Sequence, residues 1–240
     1  MESTDNQVRE MVHTRHRRRR TLLVSLVATV AVGGAALLGA GLVRASNSAP
    51  DEAPDAVPAG VAGDKAGLAV SDGAVRVDVY FDYLCPECRN LEQRTAAEVK
   101  TLKSGGKVTL VYHPVAFLNG YSSPAGYSTR AASAAACAAQ EGRFEPYHAV
   151  LFDKQPPERG PGLSEDQLIA AGRDAGITGD SFASCVRQDT YRPWVTYVSD
   201  MAASRKVAMT PTVTVNGRRV DVTGPDAGAA IVRAVEEAGR

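Results

Sequence analysis

Residues 75–81, Val-Arg-Val-Asp-Val-Tyr-Phe, alternate in polarity, are β-branched or aromatic at most positions, and run through Asp-Tyr-Leu into Cys85-Pro-Glu-Cys88. Such a run reads as a strand. Residues 89–103 are helix formers with apolar positions at Leu91, Val99 and Leu102, and they stop at Ser104-Gly105-Gly106. Residues 108–111 predict a second strand. Strand, helix, strand in that order imposes a right-handed crossover and a parallel strand pair. The two cysteines therefore stand where a strand turns into a helix, and the chain around them must be an α/β domain.

That placement determines the chemistry open to them. Cys85 falls near the helix cap and Pro86 at the first helical position, where a missing N–H costs nothing; Cys88, three residues on, lies over the same face. The sulfurs can close a small disulfide ring. Unpaired N–H groups and the positive helix end favour a thiolate on Cys85, making it the attacking sulfur and leaving Cys88 as the resolving thiol. The competing reading of a C-x-x-C pair is half of a zinc site, but zinc needs four ligands, and Cys137 and Cys185 stand alone without His at finger spacing. Far downstream, residues 207–217, Val-Ala-Met-Thr-Pro-Thr-Val-Thr-Val-Asn-Gly, put Pro211 at the entry to a strand that ends in an Asn-Gly turn and pairs with residues 218–222. A proline is tolerated at a strand start and is a candidate for a cis bond.

The charge is unevenly spread. Of 27 basic and 27 acidic residues, seven and three lie in residues 1–44, leaving 20 and 24 beyond. A balanced total gives no basic surface for nucleic-acid phosphates. Residues 21–43 form an uncharged run of 23 residues, about 35 Å as a helix, enough to cross a hydrocarbon core. Arg15 and Arg17, Arg18, Arg19 and Arg20 precede it, so residues 1–20 read as a cytoplasmic tail, 21–43 as a single-pass anchor, and everything after as extracytoplasmic, where disulfides persist. A cleaved signal peptide is the alternative, although the run is longer than the usual apolar stretch of one. Residues 44–67, rich in Ala, Pro, Gly, Asp and Ser, read as a flexible linker. The folded domain is expected over 68–240.

The motifs taken together, Phe81-x-Asp-x-x-Cys-Pro-x-Cys, Tyr112-His113-Pro114, Cys137-Ala-x-x-x-Gly-x-Phe, Tyr147-His148-x-x-Leu-Phe and Met209-Thr-Pro-Thr-x-x-Val-Asn-Gly, resemble the DsbA-type thiol-disulfide oxidoreductases of the membrane-anchored actinobacterial kind. The resemblance covers nearly all of 68–240. It implies a thioredoxin fold with a helical insertion at about 123–206, and a cis bond before Pro211. It also implies that Thr210 and Pro211 face the redox pair, that unfolded exported polypeptides dock across Pro86, Glu87, Thr210 and Pro211, and that a quinone-linked membrane partner reoxidises the pair. No metal and no other cofactor is implied. Relatives that reduce apocytochromes or peroxides usually carry Trp before the first cysteine and insert elsewhere; here Leu84 precedes Cys85.

Against the family pattern, the strand position six before the first cysteine, an acid in many relatives, is Val79, while Asp78 points to the opposite strand face. The route for deprotonating Cys88 is therefore open. Asp82 matches a family acidic position and reads equally as a helix-entry cap or as a catalytic group. Glu87 opposes a neighbouring thiolate: at about 6 Å and an effective dielectric of 40 to 80 the repulsion is roughly 0.7 to 1.4 kcal/mol, or about 15 to 30 mV for a two-electron couple. That moderates an oxidant without reversing it. Cys137 and Cys185, both in the insertion, read as a structural disulfide outside the cytosol, or else as buried thiols. His113 and His148 read as core packing. The expected activity is an oxidase that introduces disulfides into exported proteins. A reductase or isomerase, and a redox-inert tethered binding module or chaperone, are the alternatives.

The topology is testable directly. A protease added to permeabilised-envelope cells is expected to digest residues 45–240 while the membrane stays sealed; protection of the domain would reverse the orientation and remove the oxidising compartment.

Overall fold

The computed structural model describes Pro50 and residues 52–240. The expected tail 1–20 and anchor 21–43 lie outside the described residues. Among the described residues no helix is long and apolar enough to cross a membrane.

The centre of the fold is the parallel pair read from the sequence: β2 (Val75–Phe81) beside β3 (Val108–Pro114), joined by α1 (Pro86–Ser104). The helix opens on Pro86, its expected first position, and β3 runs three residues past its expected end because Tyr80 and Phe81 still pair with His113 and Pro114. A short β1 (Leu68–Ala69) lies antiparallel on β3, and β4 (Thr212–Val215) lies antiparallel on β2, with β5 (Arg218–Val220) at the far edge. The strand order is β1-β3-β2-β4-β5. Asn216 and Gly217 turn β4 into β5 with φ of 45° and 78°, the paired left-handed conformations that a two-residue hairpin turn requires. β5 stops at Val220, two residues short of its expected end.

Alternation along the strands gives the sheet two faces. Val77, Val79, Leu110, Tyr112 and Val213 meet Leu91 and Thr95 of α1 and Ile231 of α7 (Ala227–Ala238). Full burial of a Leu or Ile side chain contributes about 1.5–3 kcal/mol, which places this layer among the main stabilising contacts. The other face carries Asp78, Tyr80, Val111 and His113, all buried. Tyr80 stacks on His113 at 4.2 Å, and His113 Nε2 lies 2.8 Å from Asp78 Oδ1, which also accepts from Arg76. Burial would push the Asp78 carboxyl up, but the hydrogen bond and charge of His113 and the charge of Arg76 outweigh it, and it stays below the usual carboxylate range.

The insertion between β3 and β4 comprises a 3-10 turn (Asn119–Tyr121), α2 (Tyr127–Gln140), α3 (Phe144–Asp153), α4 (Glu165–Asp174), α5 (Asp180–Gln188) and α6 (Arg192–Ser204). The Ala-rich α2 packs against α3, α5 and α6. Its Ala and Ser side chains let neighbours approach closely, and Ala loses no rotamer entropy on burial. Cys137 of α2 and Cys185 of α5 are joined by a disulfide.

The expected linker through residue 67 ends earlier than the sequence reading placed it, because its last residues fasten to the domain. Ala62 and Ala66 are buried, and Val57 and Val61 pack against the core. Trp194 and Tyr197 of α6 donate to the carbonyls of Lys65 and Asp64 at 2.8 and 3.0 Å. The Asp64 carboxylate pairs with Arg76 and Arg205, and His113 Nδ1 lies 2.6 Å from the Ala66 carbonyl. A polar Ala-Gly-Asp-Lys-Ala-Gly stretch carries no periodicity, so only the residues it meets reveal its order.

The disulfide closes a loop spanning 48 positions, worth up to about 4 kcal/mol in the chain-entropy account. Replacing Cys137 and Cys185 together by Ser is expected to lower the unfolding midpoint by several degrees while leaving Cys85 as reactive as before, read by denaturant titration and thiol labelling.

Candidate active site

The turn from β2 into α1 is held by three side chains. Asp82, fully buried, accepts from the Leu84 N–H through Oδ1 and from the Leu118 N–H through Oδ2, both at 2.9 Å, and its carbonyl accepts from Cys85 at 3.0 Å. It is thus a tie between the cysteine turn and the loop leading into the insertion, not the cap of α1. Burial pushes its carboxyl above the usual carboxylate range, against the pull of the Leu84 and Leu118 amides. Tyr83 is fully buried, edge-on to Phe81 and tilted against Phe152, and its hydroxyl is 3.1 Å from His148 Nδ1. Gln155, just past α3, donates through Nε2 to the carbonyls of Tyr83 and Cys85 at 3.0 and 2.9 Å.

So held, Cys85 caps α1 with φ −75° and ψ 115°, and its carbonyl accepts from the N–H of Cys88 at 3.1 Å. Pro86 follows as the first helical residue. Cys85 and Cys88 are both free thiols and both buried, 6% and 3% exposed. Their environments push them apart. The Cys88 thiol hydrogen-bonds the Cys85 sulfur; against the cost of burial, that bond, the Thr210 side chain and the N–H groups of Cys88 and Glu87 bring the Cys85 thiol down to about 6. Burial, then the hydrogen bond and charge of Cys85, push the Cys88 thiol far up. One sulfur is poised as a thiolate and the other retains its proton.

Pro86 and Glu87 are exposed on the outer side of this turn, where the Glu87 carboxylate accepts from Asn90 at 3.2 Å. A carboxylate in water is well screened, which is why it leaves the Cys85 thiol low. Across the pair, the Thr210 carbonyl lies 3.5 Å from Cys85 Sγ, the Thr210–Pro211 bond is cis, and Met209 projects at 63% exposure. The structure thus brings Cys85, Pro86, Glu87, Cys88, Thr210 and Pro211 to one place, whereas Cys137 and Cys185 sit bonded together in the insertion. Asp78 is occupied with His113 and Arg76 on the other face of the sheet. His148 is buried in a ring of Phe81, Tyr112, Phe144 and Phe152. Sequence reasoning missed Gln155 altogether, since a Gln in a Lys-Gln-Pro-Pro loop carries no signal. Among the described residues no group of three or more His, Cys, Asp or Glu is placed to hold a metal ion.

Comparison with known proteins matches residues 70–235 to the Thioredoxin_4 family, described as thioredoxin. Among solved structures, the oxidised DsbA of Mycobacterium tuberculosis is 33% identical, with a TM-score of 0.60 over 71% of this chain and 92% of that one. The reduced disulfide bond oxidoreductase DsbG of the same organism is 35% identical, with a TM-score of 0.57 over 68% of this chain and 77% of that one. Among curated proteins, the serine/threonine-protein kinase PknE of Mycobacterium tuberculosis is 25% identical over 168 residues, 66% of this chain. The matched stretch spans only 30% of that relative's length.

The split between the sulfurs sets a pH dependence. Alkylation of the reduced protein by iodoacetamide at Cys85 is expected to rise through a midpoint of about pH 6 and level off, with Cys88 unlabelled throughout, as read by peptide mapping. The same shift bears on stability. A thiol depressed in the folded state stabilises the dithiol form fully above its unfolded value of about 8.5, and that contribution is lost as pH falls through the folded one.

Proposed function

Because this chain belongs to the Thioredoxin_4 family and is a thiol-disulfide oxidoreductase of the DsbA type, we propose that it acts as an oxidase outside the cytoplasm, donating a Cys85–Cys88 disulfide to exported proteins. The observation that carries this reading is the low Cys85 thiol beside a raised Cys88 thiol. A stabilised thiolate lowers the free energy of the reduced pair, and a pair easily held reduced is a ready acceptor of electrons.

In the proposed cycle a client thiolate attacks Cys85 Sγ of the oxidised pair. The Cys85–Cys88 bond breaks, Cys88 leaves with the electron pair and takes up a proton, and a client–Cys85 disulfide forms. A second client thiolate attacks the client sulfur and expels Cys85 as a thiolate. Its depressed pKa makes it a good leaving group. The client gains a disulfide, and the two electrons remain on the Cys85–Cys88 dithiol. A quinone-linked membrane partner removes them, with the anchor at 21–43 keeping the domain near it. For the reverse step Cys88 must lose a proton without the family's strand acid. Two of the causes that hold its thiol up are the hydrogen bond and charge of Cys85; both vanish once Cys85 is in a mixed disulfide.

Clients dock, in this reading, across Pro86, Glu87, Thr210 and Pro211, with exposed Met209 offering an apolar contact to an unfolded chain. The second reading is a reductase or isomerase of lower potential; Glu87 between the cysteines moves the pair in that direction, but its exposure to water keeps the effect small. Kinase activity belongs to the relative that bears that name and is not carried over.

The test is trapping. Cys88→Ala, expressed in cells, is expected to accumulate client adducts that vanish with dithiothreitol on gels, while Cys85→Ala and the double variant show almost none. Adducts through Cys88 after removal of Cys85 would reverse the roles, and their absence from every variant would favour the binding module. A reduction potential of the wild-type pair near about −120 mV supports the oxidase, and one near about −270 mV supports the reductase.

A further inference from the structure

We infer that Gln155, supplied by the helical insertion, is a positioning residue that helps hold Cys85 as a thiolate by donating to the carbonyls on either side of Leu84. The inference rests on the reading of Cys85 as the reacting sulfur.

Both partners of Gln155 Nε2 are carbonyl oxygens, those of Tyr83 and Cys85. Carbonyl oxygens only accept, so it is the amino end of the amide that faces them. Each of its two protons is used. Tyr83 is fully buried, and Gln155 is the donor to its carbonyl; the Cys85 carbonyl already receives the N–H groups of Cys88 and Arg89 at 3.1 and 3.4 Å and takes Gln155 as a further, shorter partner at 2.9 Å. Carbonyl oxygens carry partial negative charge, and these two belong to the turn that presents Cys85 Sγ. A donor on both offsets that charge and turns the positive end of an amide dipole toward the turn. The placement has little slack. Gln155 N–H closes the end of α3 on the Phe152 carbonyl at 3.3 Å, Phe152 packs against the Tyr83 ring at 5.2 Å, and His148 of α3 meets the Tyr83 hydroxyl. One helix end thus holds Tyr83 by ring, hydroxyl and carbonyl and then reaches one residue past Leu84 to the nucleophile. The neighbouring titratable groups are Asp82, buried in the same turn on the Leu84 and Leu118 amides, Glu92, 3.5 Å from His148, and Glu87, exposed on the outer side of α1; none of them hydrogen-bonds the Gln155 amide.

The experiment uses the full chain with wild-type Cys85 and Cys88. Gln155→Met keeps length and removes both donors; Gln155→Glu keeps shape and puts oxygen where nitrogen stood. The expected order of the Cys85 titration midpoint, followed by thiolate absorbance and by iodoacetamide rate, is wild type lowest, then Met, then Glu. In the Met variant the labelling rate well below the wild-type midpoint is expected to fall about threefold, the size of one net hydrogen bond, and the equilibrium with glutathione to shift about threefold toward the disulfide. A Met variant that melts earlier but titrates like wild type would make Gln155 a simple brace and overturn the inference. Gln155→Leu serves if the Met form does not fold, and failure of both to fold has the same overturning meaning. Labelling of wild type on Cys88 instead of Cys85 would overturn the premise that Cys85 is the reacting sulfur, and peptide mapping distinguishes that result from the others.

Discussion

Two sulfurs share one proton at the start of a helix whose inner face alone is buried, and the rest of the molecule is arranged around keeping that proton on the inner one. Burial penalises charge at both positions. Cys88, inside the first turn, meets that penalty with too little relief from Asp82 and Thr210 to offset it and stays a thiol, and its S–H is then available to Cys85. Cys85, at the cap, also receives N–H groups of the turn that no carbonyl of α1 can use. The asymmetry is therefore a consequence of where a helix begins, and it depends on the cap being held still. A cap free to fray would let water in and level the two thiols.

Holding it still is the business of residues drawn from the whole chain. Asp82 joins the cysteine turn to the loop after β3 through backbone amides of Leu84 and Leu118. Thr210, at the mouth of β4, closes the open side with its carbonyl near Cys85 Sγ. The insertion grips from behind through His148, Phe152 and Gln155. The Cys137–Cys185 bond and the dense Ala-rich α2 stiffen the body from which that grip comes. Even the segment before β1 takes part, since Trp194, Tyr197 and Arg205 fasten it to α6, the helix that leads into the Thr210–Pro211 loop.

Polar groups on the two faces of the sheet are used differently. Asp78, His113 and Arg76 form a satisfied network that fastens the chain entering the domain. That use explains how an acid can sit one residue away from the familiar strand position without serving the cysteines: alternation along β2 turns it to the other face. Asp82, after the strand ends, escapes the alternation and reaches the turn.

Much of this was readable in the sequence because it depends on local periodicity. The alternation of residues 75–81, the Pro after the first cysteine and the strand before the Asn-Gly turn each carry their meaning within a few neighbours. They suffice for the parallel pair, the position of Cys85 at the cap, and the proline-led strand that returns to it. The cysteines of the insertion were readable as a pair through chemistry and compartment, not through distance. What only the tertiary structure decided is every contact whose partners lie far apart in the chain and whose residue types are common: Gln155 on the Cys85 carbonyl across 70 positions, Asp82 on Leu118 across 36, and the fastening of a Gly- and Ala-rich stretch that reads as loose. A single hydrogen bond from a common side chain leaves no pattern in a sequence, since its donor and acceptor become neighbours only once the hydrophobic layers have packed.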